Sequence, residues 1–309
     1  MKKYAIAIHG GAGTLLKGMM NPEKEKQYRS ALQNALNKGY LVLENGGTAV
    51  KAVEEAVKVL EDSPLFNAGR GSVFTAGEKH EMDASIMDGK TLNAGAVSLI
   101  SGIRNPVSLA KDVMENSEHV FLAGTGAMDF AKKLNYSLED EDYFYDEFRH
   151  QQWLEIKDTD TFQLDHSDKK DRKFGTVGAV ACDKYGDIAA ATSTGGMTNK
   201  RFGRVGDSPI IGAGNYANNK TCAVSCTGSG EYFIRGVVAY DVSSLVEFKE
   251  LDLKSAADEV IHKRILRIGG DGGLIAVNKN GEIAMPFNTE GMYRGYKNSE
   301  GKEDISIYK

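Results

Sequence analysis

The sequence has few cysteines, few prolines and no long apolar segment. No stretch approaches the roughly 18 consecutive apolar residues that a membrane-spanning helix needs, so no such helix is predicted. Cys182, Cys222 and Cys226 are odd in number and lie in strand-like surroundings, so we expect buried free thiols and neither a disulfide nor a metal site. The N-terminal residues reach His9 and several glycines before a secretory apolar core could form, and we therefore expect a cytoplasmic protein.

Excess positive charge is also lacking. The 38 lysines and arginines are outnumbered by 43 aspartates and glutamates, which gives a formal net charge of −5. This balance disfavours a partner that is a nucleic acid or an anionic membrane. Because 41% of the 309 residues are hydrophobic, the chain can bury a large core, either as one large domain or as two ordinary ones.

Several common site signatures are missing. The six histidines include no i, i+4 pair, so a transition-metal site is not expected. A Gly-x-Ser-x-Gly elbow and a Cys–His arrangement are absent as well. The glycine-rich loops at 9–13, 124–126 and 227–230 lack the further residues of phosphate-binding and dinucleotide-binding motifs. A non-enzymatic module that binds anions or nucleotides through these loops is nevertheless an alternative from another functional class.

Glycine is abundant, with 35 residues and no low-complexity run, which indicates tight turns or close backbone approaches. Hydrophobic periodicity predicts helices that include 22–44, 48–60, 106–116 and 254–263. Short apolar runs predict strands that include 4–8, 174–182, 188–193, 221–226, 274–277 and 282–288. These elements occur in blocks and do not alternate strictly, which favours stacked antiparallel sheets flanked by helices over a doubly wound parallel sheet.

A charged segment at about 138–173 interrupts this pattern, and its composition predicts a flexible linker. Gly175 and Thr176 follow it directly, at the start of a strand. A threonine hydroxyl needs an adjacent base, and a chain-terminal threonine supplies its own α-amine, whose ordinary pKa is about 7.7–8.0. Glycine before the threonine permits the backbone angles that attack on the preceding carbonyl would require. By itself, a Gly-Thr pair at a strand start is weak evidence for this chemistry.

Many further motifs occur in order along nearly the whole chain. Together they resemble the plant-type (type III) L-asparaginase/isoaspartyl peptidase (beta-aspartyl-peptidase) branch of the N-terminal nucleophile (Ntn) hydrolases, the asparaginase 2 family. The motifs are HGGAG at 9–13, PLFNAG at 64–69, MDAS at 82–85, RNP at 104–106, GTVGAVA at 175–181, ATSTGGMTNK at 191–200, GRVGDSP at 203–209, GAG at 212–214 and CTGSGE at 226–231.

The resemblance implies one Ntn-hydrolase domain over 1–309, folded as a four-layer αββα sandwich with two mainly antiparallel sheets. It also implies self-cleavage into an alpha subunit, 1–175, and a beta subunit, 176–309. The implied activity is hydrolysis of β-aspartyl (isoaspartyl) dipeptides and L-asparagine through a covalent acyl-enzyme, without a cofactor for the chemistry. The implied assembly is a homodimer that becomes a dimer of alpha/beta heterodimers after cleavage.

The resemblance also assigns the reacting groups. Thr176 would be the nucleophile freed by cleavage after Gly175, and Thr194 would hydrogen-bond to it and orient it. The Thr227 hydroxyl and the Gly228 N–H would form the oxyanion hole, whose donors meet the charge that develops in the transition state.

The implied substrate contacts lie on neighbouring segments. Arg204 would bind the substrate α-carboxylate, Asp207 and the Gly230 carbonyl would accept from its α-ammonium, and the Asn67 side chain would point toward the nucleophile. Without the resemblance, two opposite charges three residues apart are more often a surface ion pair.

Residues 60–70 resemble the family's sodium loop, in which backbone carbonyls bind a structural Na+. Carbonyl oxygens suit a hard cation. The implied donors are Leu60, Glu61, Ser63, Phe66, Ala68 and Arg70. Many relatives have an apolar or small residue where Arg70 stands.

A glycosylasparaginase is the alternative within the same superfamily. That branch usually has an Asp-Thr junction, a secretory signal and paired cysteines, whereas this sequence has Gly175-Thr176 and three cysteines.

Overall fold

This computed structural model describes residues 3–18, 20–159 and 175–309, which form two sheets with helices outside them. The strands are β1 (Ala5–Gly13), β2 (Met82–Asp88), β3 (Ala94–Ile100), β4 (Phe121–Ala123), β5 (Val177–Cys182), β6 (Ile188–Thr194), β7 (Asn215–Ala217), β8 (Ala223–Gly228), β9 (Gly272–Val277), β10 (Ile283–Ala284), β11 (Gly291–Asn298) and β12 (Glu303–Tyr308). The helices are α1 (Pro22–Glu44), α2 (Ala49–Glu61), α3 (Pro106–Asn116), α4 (Gly124–Lys133), α5 (Glu141–Phe144), α6 (Glu147–Leu154), α7 (Gly230–Gly236), α8 (Val238–Lys249), α9 (Leu253–Glu259) and α10 (Ile265–Arg267).

The larger sheet has eight strands within the described residues, in the order β12-β11-β1-β5-β6-β2-β3-β4. Its pairings are antiparallel except for β3 and β4, which run parallel. The smaller sheet is antiparallel, in the order β10-β9-β8-β7. Both sheets therefore agree with the prediction of mainly antiparallel pairing.

Buried apolar clusters join the layers. Because successive strand residues point to opposite faces, β1 contributes to two clusters. Ile6 and Ile8 pack with α1 and α2, whereas Ala5 and Ala7 face the smaller sheet. A third cluster lies between the other face of the smaller sheet and α7–α10. The order helix, sheet, sheet, helix confirms the predicted four-layer αββα fold.

Local sequence signals explain where the long helices begin. Asn21 Oδ1 accepts a hydrogen bond from the Lys24 N–H at 2.8 Å, and Thr48 Oγ1 accepts one from the Lys51 N–H at 3.2 Å. Such side chains satisfy amides that have no partner within the first helical turn. The predicted helices 22–44 and 106–116 are confirmed residue for residue by α1 and α3.

The segment predicted as a flexible linker differs from the structure over 138–159. Two short helices, α5 and α6, form there, and Phe144 and Trp153 are buried. The many charged residues dominate the composition of this segment, and composition therefore does not reveal the two aromatic residues. The charged side chains cover the exposed face, while the aromatic side chains reach the core. The rest of the predicted linker, 160–173, lies outside the described residues.

The C-terminal region also differs from the prediction. The predicted strand 282–288 is limited to β10, and two unpredicted strands, β11 and β12, follow it. Pairing with β1 holds β11 in the larger sheet, a long-range contact that local periodicity does not reveal. The predicted helix 254–263 is α9 followed by a π-helical turn, Val260–Arg264.

The cysteines and the helices bear on two of the predictions made from composition. Cys182, Cys222 and Cys226 are buried and free, as expected. Within the described ranges, no helix is both long and apolar enough to cross a bilayer.

Gly95 in β3 provides a test of sheet-to-helix packing. A Cβ atom there would lie 1.9 Å from the Ala110 carbonyl oxygen and 2.6 Å from the Met114 nitrogen, both in α3. We expect G95A to lower the free energy of unfolding by about 3 kcal/mol, because overpacking against backbone atoms cannot be relieved by a side-chain rotation. Urea unfolding followed by circular dichroism measures this loss.

The matched control is G126A, in the exposed part of α4, where nothing lies within 4 Å of the added Cβ. Alanine is the better helix former, so this variant should be as stable as the wild type or more stable by up to about 1 kcal/mol. Equal unfolding midpoints for the two variants would contradict the packing argument.

Candidate active site

A hairpin of the larger sheet brings together the two threonines that were predicted to form the nucleophile pair. Val177 of β5 lies opposite Ser193 of β6, so Thr176 and Thr194 are neighbours at the open end of the hairpin. Thr176 Oγ1 donates to Thr194 Oγ1 at 3.1 Å. Thr194 is buried, and its Oγ1 also accepts a hydrogen bond from the Gly196 N–H at 3.0 Å.

The predicted cleavage junction is packed against Asn67. A Cβ atom on Gly175 would lie 2.4 Å from both Cβ and Nδ2 of Asn67, so only glycine fits there without movement. Asn67 Nδ2 donates to the Gly196 carbonyl at 2.7 Å, and Asn67 Oδ1 accepts from the Val73 N–H at 3.0 Å. Asn67 therefore joins the loop after α2 to the turn that follows Thr194, and it lies against Gly175, the residue before Thr176.

The two predicted oxyanion-hole residues end β8 in the smaller sheet. Thr227 is buried and lies two residues after Ser225, so both side chains share one face of the strand. Gly228 has a φ of +153°, and a Cβ atom there would lie 2.4 Å from the Asp271 carbonyl oxygen. The sharp approach of backbone to backbone explains why glycine ends this strand.

Three of the predicted substrate-binding residues lie together. A Cβ atom on Gly230, the first residue of α7, would be 3.0 Å from both Arg204 Nη2 and Asp207 Oδ1. Arg204 and Asp207 do not form the alternative surface ion pair. Arg204 is held by Glu231, whose carboxylate accepts from Nε at 2.8 Å and from Nη2 at 2.9 Å.

Asp207 is a buried carboxyl group with one oxygen, Oδ2, that lacks a hydrogen-bond partner among the described residues. Burial raises the pKa of the Asp207 carboxyl to about 7, although the nearby Arg204 charge opposes this rise. An unpaired carboxylate oxygen in such a place is costly, and an ammonium group would satisfy it.

Two residues near the reacting groups were not assigned a role from the sequence. Glu231 fixes the Arg204 guanidinium; an acidic residue directly after Gly230, opposite in charge to Arg204, was the available signal. His9 is fully buried, and its Nδ1 donates to the Thr176 carbonyl oxygen at 3.1 Å. HGGAG is one of the motifs that carry the family resemblance, but only the fold brings the His9 ring to Thr176.

The predicted sodium loop folds back on itself beside Asn67. The carbonyl oxygens of Leu60, Phe66 and Ala68 accept hydrogen bonds of 3.0 to 3.2 Å from amides of the same loop. The Glu61 carbonyl oxygen would lie 2.5 Å from a Cβ atom on Gly69. The carbonyls thus lie at the inside of a tight loop. In the described part of the chain, no group of three or more His, Cys, Asp or Glu side chains is placed to bind a metal.

Three side chains of this loop have contacts of their own. The Arg70 guanidinium lies over the Tyr143 ring, 5.4 Å from its centroid, and Ser63 Oγ accepts from the Leu65 N–H at 3.3 Å. The Glu61 carboxyl is fully buried, accepts from the Val107 N–H at 3.0 Å, and has its pKa raised to about 8 by burial. The Arg70 side chain is therefore held by the Tyr143 ring.

Comparison with known proteins agrees with this geometry. A family profile described as asparaginase (Asparaginase_2) matches residues 2–307. An isoaspartyl peptidase of Salmonella typhimurium is 48% identical over 312 residues that cover 100% of both chains. An isoaspartyl peptidase of Escherichia coli is 49% identical over 313 residues, 100% of this chain and 97% of the relative. A plant-type L-asparaginase of Pyrococcus furiosus is 43% identical over 310 residues, 97% of this chain and 98% of the relative. The match to one family over nearly the whole chain, together with the αββα fold, means that this protein belongs to the asparaginase (Asparaginase_2) family of Ntn hydrolases.

Proposed function

We propose that this chain is a threonine-type hydrolase that cleaves itself between Gly175 and Thr176. The cleaved enzyme hydrolyses β-aspartyl (isoaspartyl) dipeptides and L-asparagine to L-aspartate and an amine or ammonia. The observation that carries the proposal is the 3.1 Å hydrogen bond between Thr176 Oγ1 and Thr194 Oγ1, directly after a glycine that has no room for a side chain. Relatives with 40–49% identity bear the names isoaspartyl peptidase and L-asparaginase.

The chemistry begins after self-cleavage, when Thr176 has a free α-amine. The amine takes the proton of Oγ1, and Oγ1 attacks the side-chain carbonyl of the substrate. Thr227 and the Gly228 N–H stabilise the negative charge that develops on the carbonyl oxygen. The carbon–nitrogen bond breaks, the leaving amine takes the proton, and an ester to Thr176 forms. Water then hydrolyses this ester, which releases L-aspartate and restores the hydroxyl.

The substrate is held by its amino-acid head group. The substrate ammonium supplies the partner that Asp207 Oδ2 lacks among the described residues, and Gly230 leaves the space beside it. Arg204, fixed through Nε and Nη2 by Glu231, presents its remaining edge to the α-carboxylate. Two charged contacts on one head group favour a free aspartyl unit and do not select the leaving group.

A structural Na+ completes the proposal. The donors would be the backbone carbonyls of Leu60, Glu61, Ser63, Phe66, Ala68 and Arg70. Each carbonyl oxygen has two lone pairs, so those that accept one loop hydrogen bond can still bind a hard cation. The ion would stiffen the loop that carries Asn67 and take no part in the reaction.

Assembly and location are also proposed. Val120 and Phe121, at the edge strand β4, expose apolar side chains, which supports a homodimer that becomes a dimer of alpha/beta heterodimers. The three free thiols support a location in the reducing cytoplasm. The net charge of −5 supports small-molecule or dipeptide substrates over nucleic acid or membrane partners.

Substitution of Thr176 tests the nucleophile. T176A removes the attacking oxygen, so the purified protein should stay a single band on a denaturing gel and should release no ammonia from L-asparagine. T176S keeps a hydroxyl and should cleave itself, more slowly than the wild type. T91A, which changes an exposed threonine on the β2–β3 turn, is the matched control and should cleave and hydrolyse normally. Two fragments or ammonia release from T176A would reject the assignment.

The raised pKa of Asp207 predicts a specific pH dependence. The ionised carboxylate is needed to bind the substrate ammonium, and it is present above pH about 7 and lost as the pH falls. Between pH 7 and 5, kcat/KM of the wild type should therefore fall more steeply than that of D207N, by about one extra tenfold step per pH unit. Parallel pH profiles of the two enzymes on L-asparagine measure the difference, and identical slopes would contradict the role of Asp207.

Blocking the substrate amine should have the same energetic effect as removing the carboxylate. At pH 8, we expect N-acetyl-L-asparagine to lose about 3 kcal/mol of transition-state binding to the wild type, roughly 10²-fold in kcat/KM. D207N should discriminate little between the blocked and the free substrate, because its neutral amide lacks the carboxylate's charge attraction for the substrate ammonium. Equal turnover of both substrates by the wild type would show that the head-group contact is misassigned.

A further inference from the structure

A chain of buried hydrogen bonds runs between the two sheets and ends on the nucleophile residue. Asn215 Nδ2 donates to Thr192 Oγ1 at 3.3 Å, and Thr192 Oγ1 lies 2.7 Å from Ser225 Oγ. Ser225 Oγ lies 2.8 Å from His9 Nε2, and His9 Nδ1 lies 3.1 Å from the Thr176 carbonyl oxygen. Asn215, Thr192, Ser225 and His9 each have no exposed surface.

The chemistry of the groups fixes the direction of both hydrogen bonds that the His9 ring makes. A carbonyl oxygen only accepts, so Nδ1 must carry the hydrogen that faces Thr176. Burial lowers the pKa of His9 to about 3, so the ring is neutral and Nε2 must accept. Ser225 therefore donates to Nε2. The Thr192 hydroxyl donates to the Gly214 carbonyl oxygen at 3.1 Å, and Thr192 Oγ1 accepts from Asn215 Nδ2. One tautomer of His9 satisfies both of its ring contacts.

Glycine at position 178 makes room for this arrangement. Gly178 of β5 lies opposite His9 in the sheet. A Cβ atom on Gly178 would be 2.0 Å from Ser225 Oγ and 2.4 Å from His9 Nε2, so any side chain would displace the bond between them. Because Gly178 has no side chain, the polar atoms of Ser225 and His9 can occupy the buried space beside the strand.

We propose that His9 is a positioning residue that holds the Thr176 carbonyl and thereby sets the rotation of Thr176 about its Cα atom. The inference rests on the proposed function. Cleavage after Gly175 removes the covalent restraint on the nitrogen side of Thr176, and new chain ends fray unless they are tied down. The hydrogen bond to the carbonyl is then the restraint that keeps Oγ1 against Thr194 and keeps the amine within reach of Oγ1. A neutral ring whose Nδ1 hydrogen is already engaged does not act as the base.

Two amide variants separate the contacts of the two ring nitrogens. In H9N, the amide nitrogen is bonded to Cγ, as Nδ1 is, so it keeps the donor to Thr176 and loses Ser225. In H9Q, the amide lies one bond further out, as Nε2 does, so it keeps Ser225 and loses Thr176. We expect kcat of H9Q to fall by about 10- to 100-fold with KM for L-asparagine within about threefold of the wild type, because misplacement acts on the chemical step. H9N should recover most of this loss.

Self-cleavage is measured separately. The fraction of cleaved chain is read from a denaturing gel, and kcat is expressed per cleaved chain. The precursor has the same contact to the Thr176 carbonyl, so H9Q should also mature more slowly than H9N. If H9Q is folded by circular dichroism but stays uncleaved while H9N cleaves, the inference is supported. Full kcat in H9Q, or H9N no better than H9Q, would overturn it.

Ser225 gives a second test that leaves His9 intact. S225A removes the donor to Nε2 and the bond to Thr192, while S243A removes one bond of similar length, 2.6 Å to Thr221, elsewhere in the same half of the molecule. Both variants lose a buried hydroxyl pair and should unfold at lower temperature. Only S225A should lower kcat, by about tenfold. An equal effect of both on kcat, or none of either, would contradict a positioning role.

The tautomer itself is observable in the wild type. Nitrogen-15 NMR should report His9 as neutral and protonated at Nδ1 from pH 5 to 9, and a ring protonated at Nε2 would refute the inference. Parallel assays of the wild type separate the proposed function from the role of His9. If it neither cleaves itself nor hydrolyses L-asparagine, the proposed function is wrong. If it does both while the His9 variants match it, only the role of His9 is wrong.

Discussion

The register of the β5–β6 hairpin is the constraint on which the site depends. Opposite pairing of Val177 and Ser193 places the residue before β5 beside the last residue of β6, so the two hydroxyls meet without any loop having to fold over them. A shift of one residue would turn Thr194 to the helix-facing side of the sheet. The buried apolar clusters on both sides of the larger sheet oppose such a shift. Ordinary core packing thus fixes the geometry of the two threonine hydroxyls.

Missing side chains are as important here as those present. Gly175 admits Asn67, Gly178 admits the His9–Ser225 pair, and Gly230 admits Asp207 and Arg204. At each point a polar side chain from another element occupies the space that a Cβ atom would fill. Glycine destabilises strands and helices, so its placement at these points is explained by access to the site and not by secondary structure. These close contacts therefore explain part of the high glycine content, which the composition alone could not locate.

Features set by neighbouring residues could be predicted from the sequence, whereas features set by long-range contacts could not. The helix 22–44 follows from Asn21, Pro22 and a clear apolar period, which act within a few residues. The motifs also located Asn67 and Asp207, because the resemblance assigns them directly. The strand β11 escaped prediction since its place depends on β1, far away in the chain. The contact of His9 with Thr176 escaped for the same reason, as it joins residues 167 positions apart.

The strand order has a consequence for the two pieces that a break after Gly175 would produce. In the larger sheet, β1 lies between β5 and β11, and β6 pairs with β2, so strands from both sides of the break are interleaved. The second piece also contacts the first through Asn199, whose Nδ2 donates to the Ile156 carbonyl at 3.1 Å. Separation of the pieces would require breaking all the hydrogen bonds between paired strands, so the cleaved molecule would remain one cooperative unit. Neither piece alone would have a complete sheet.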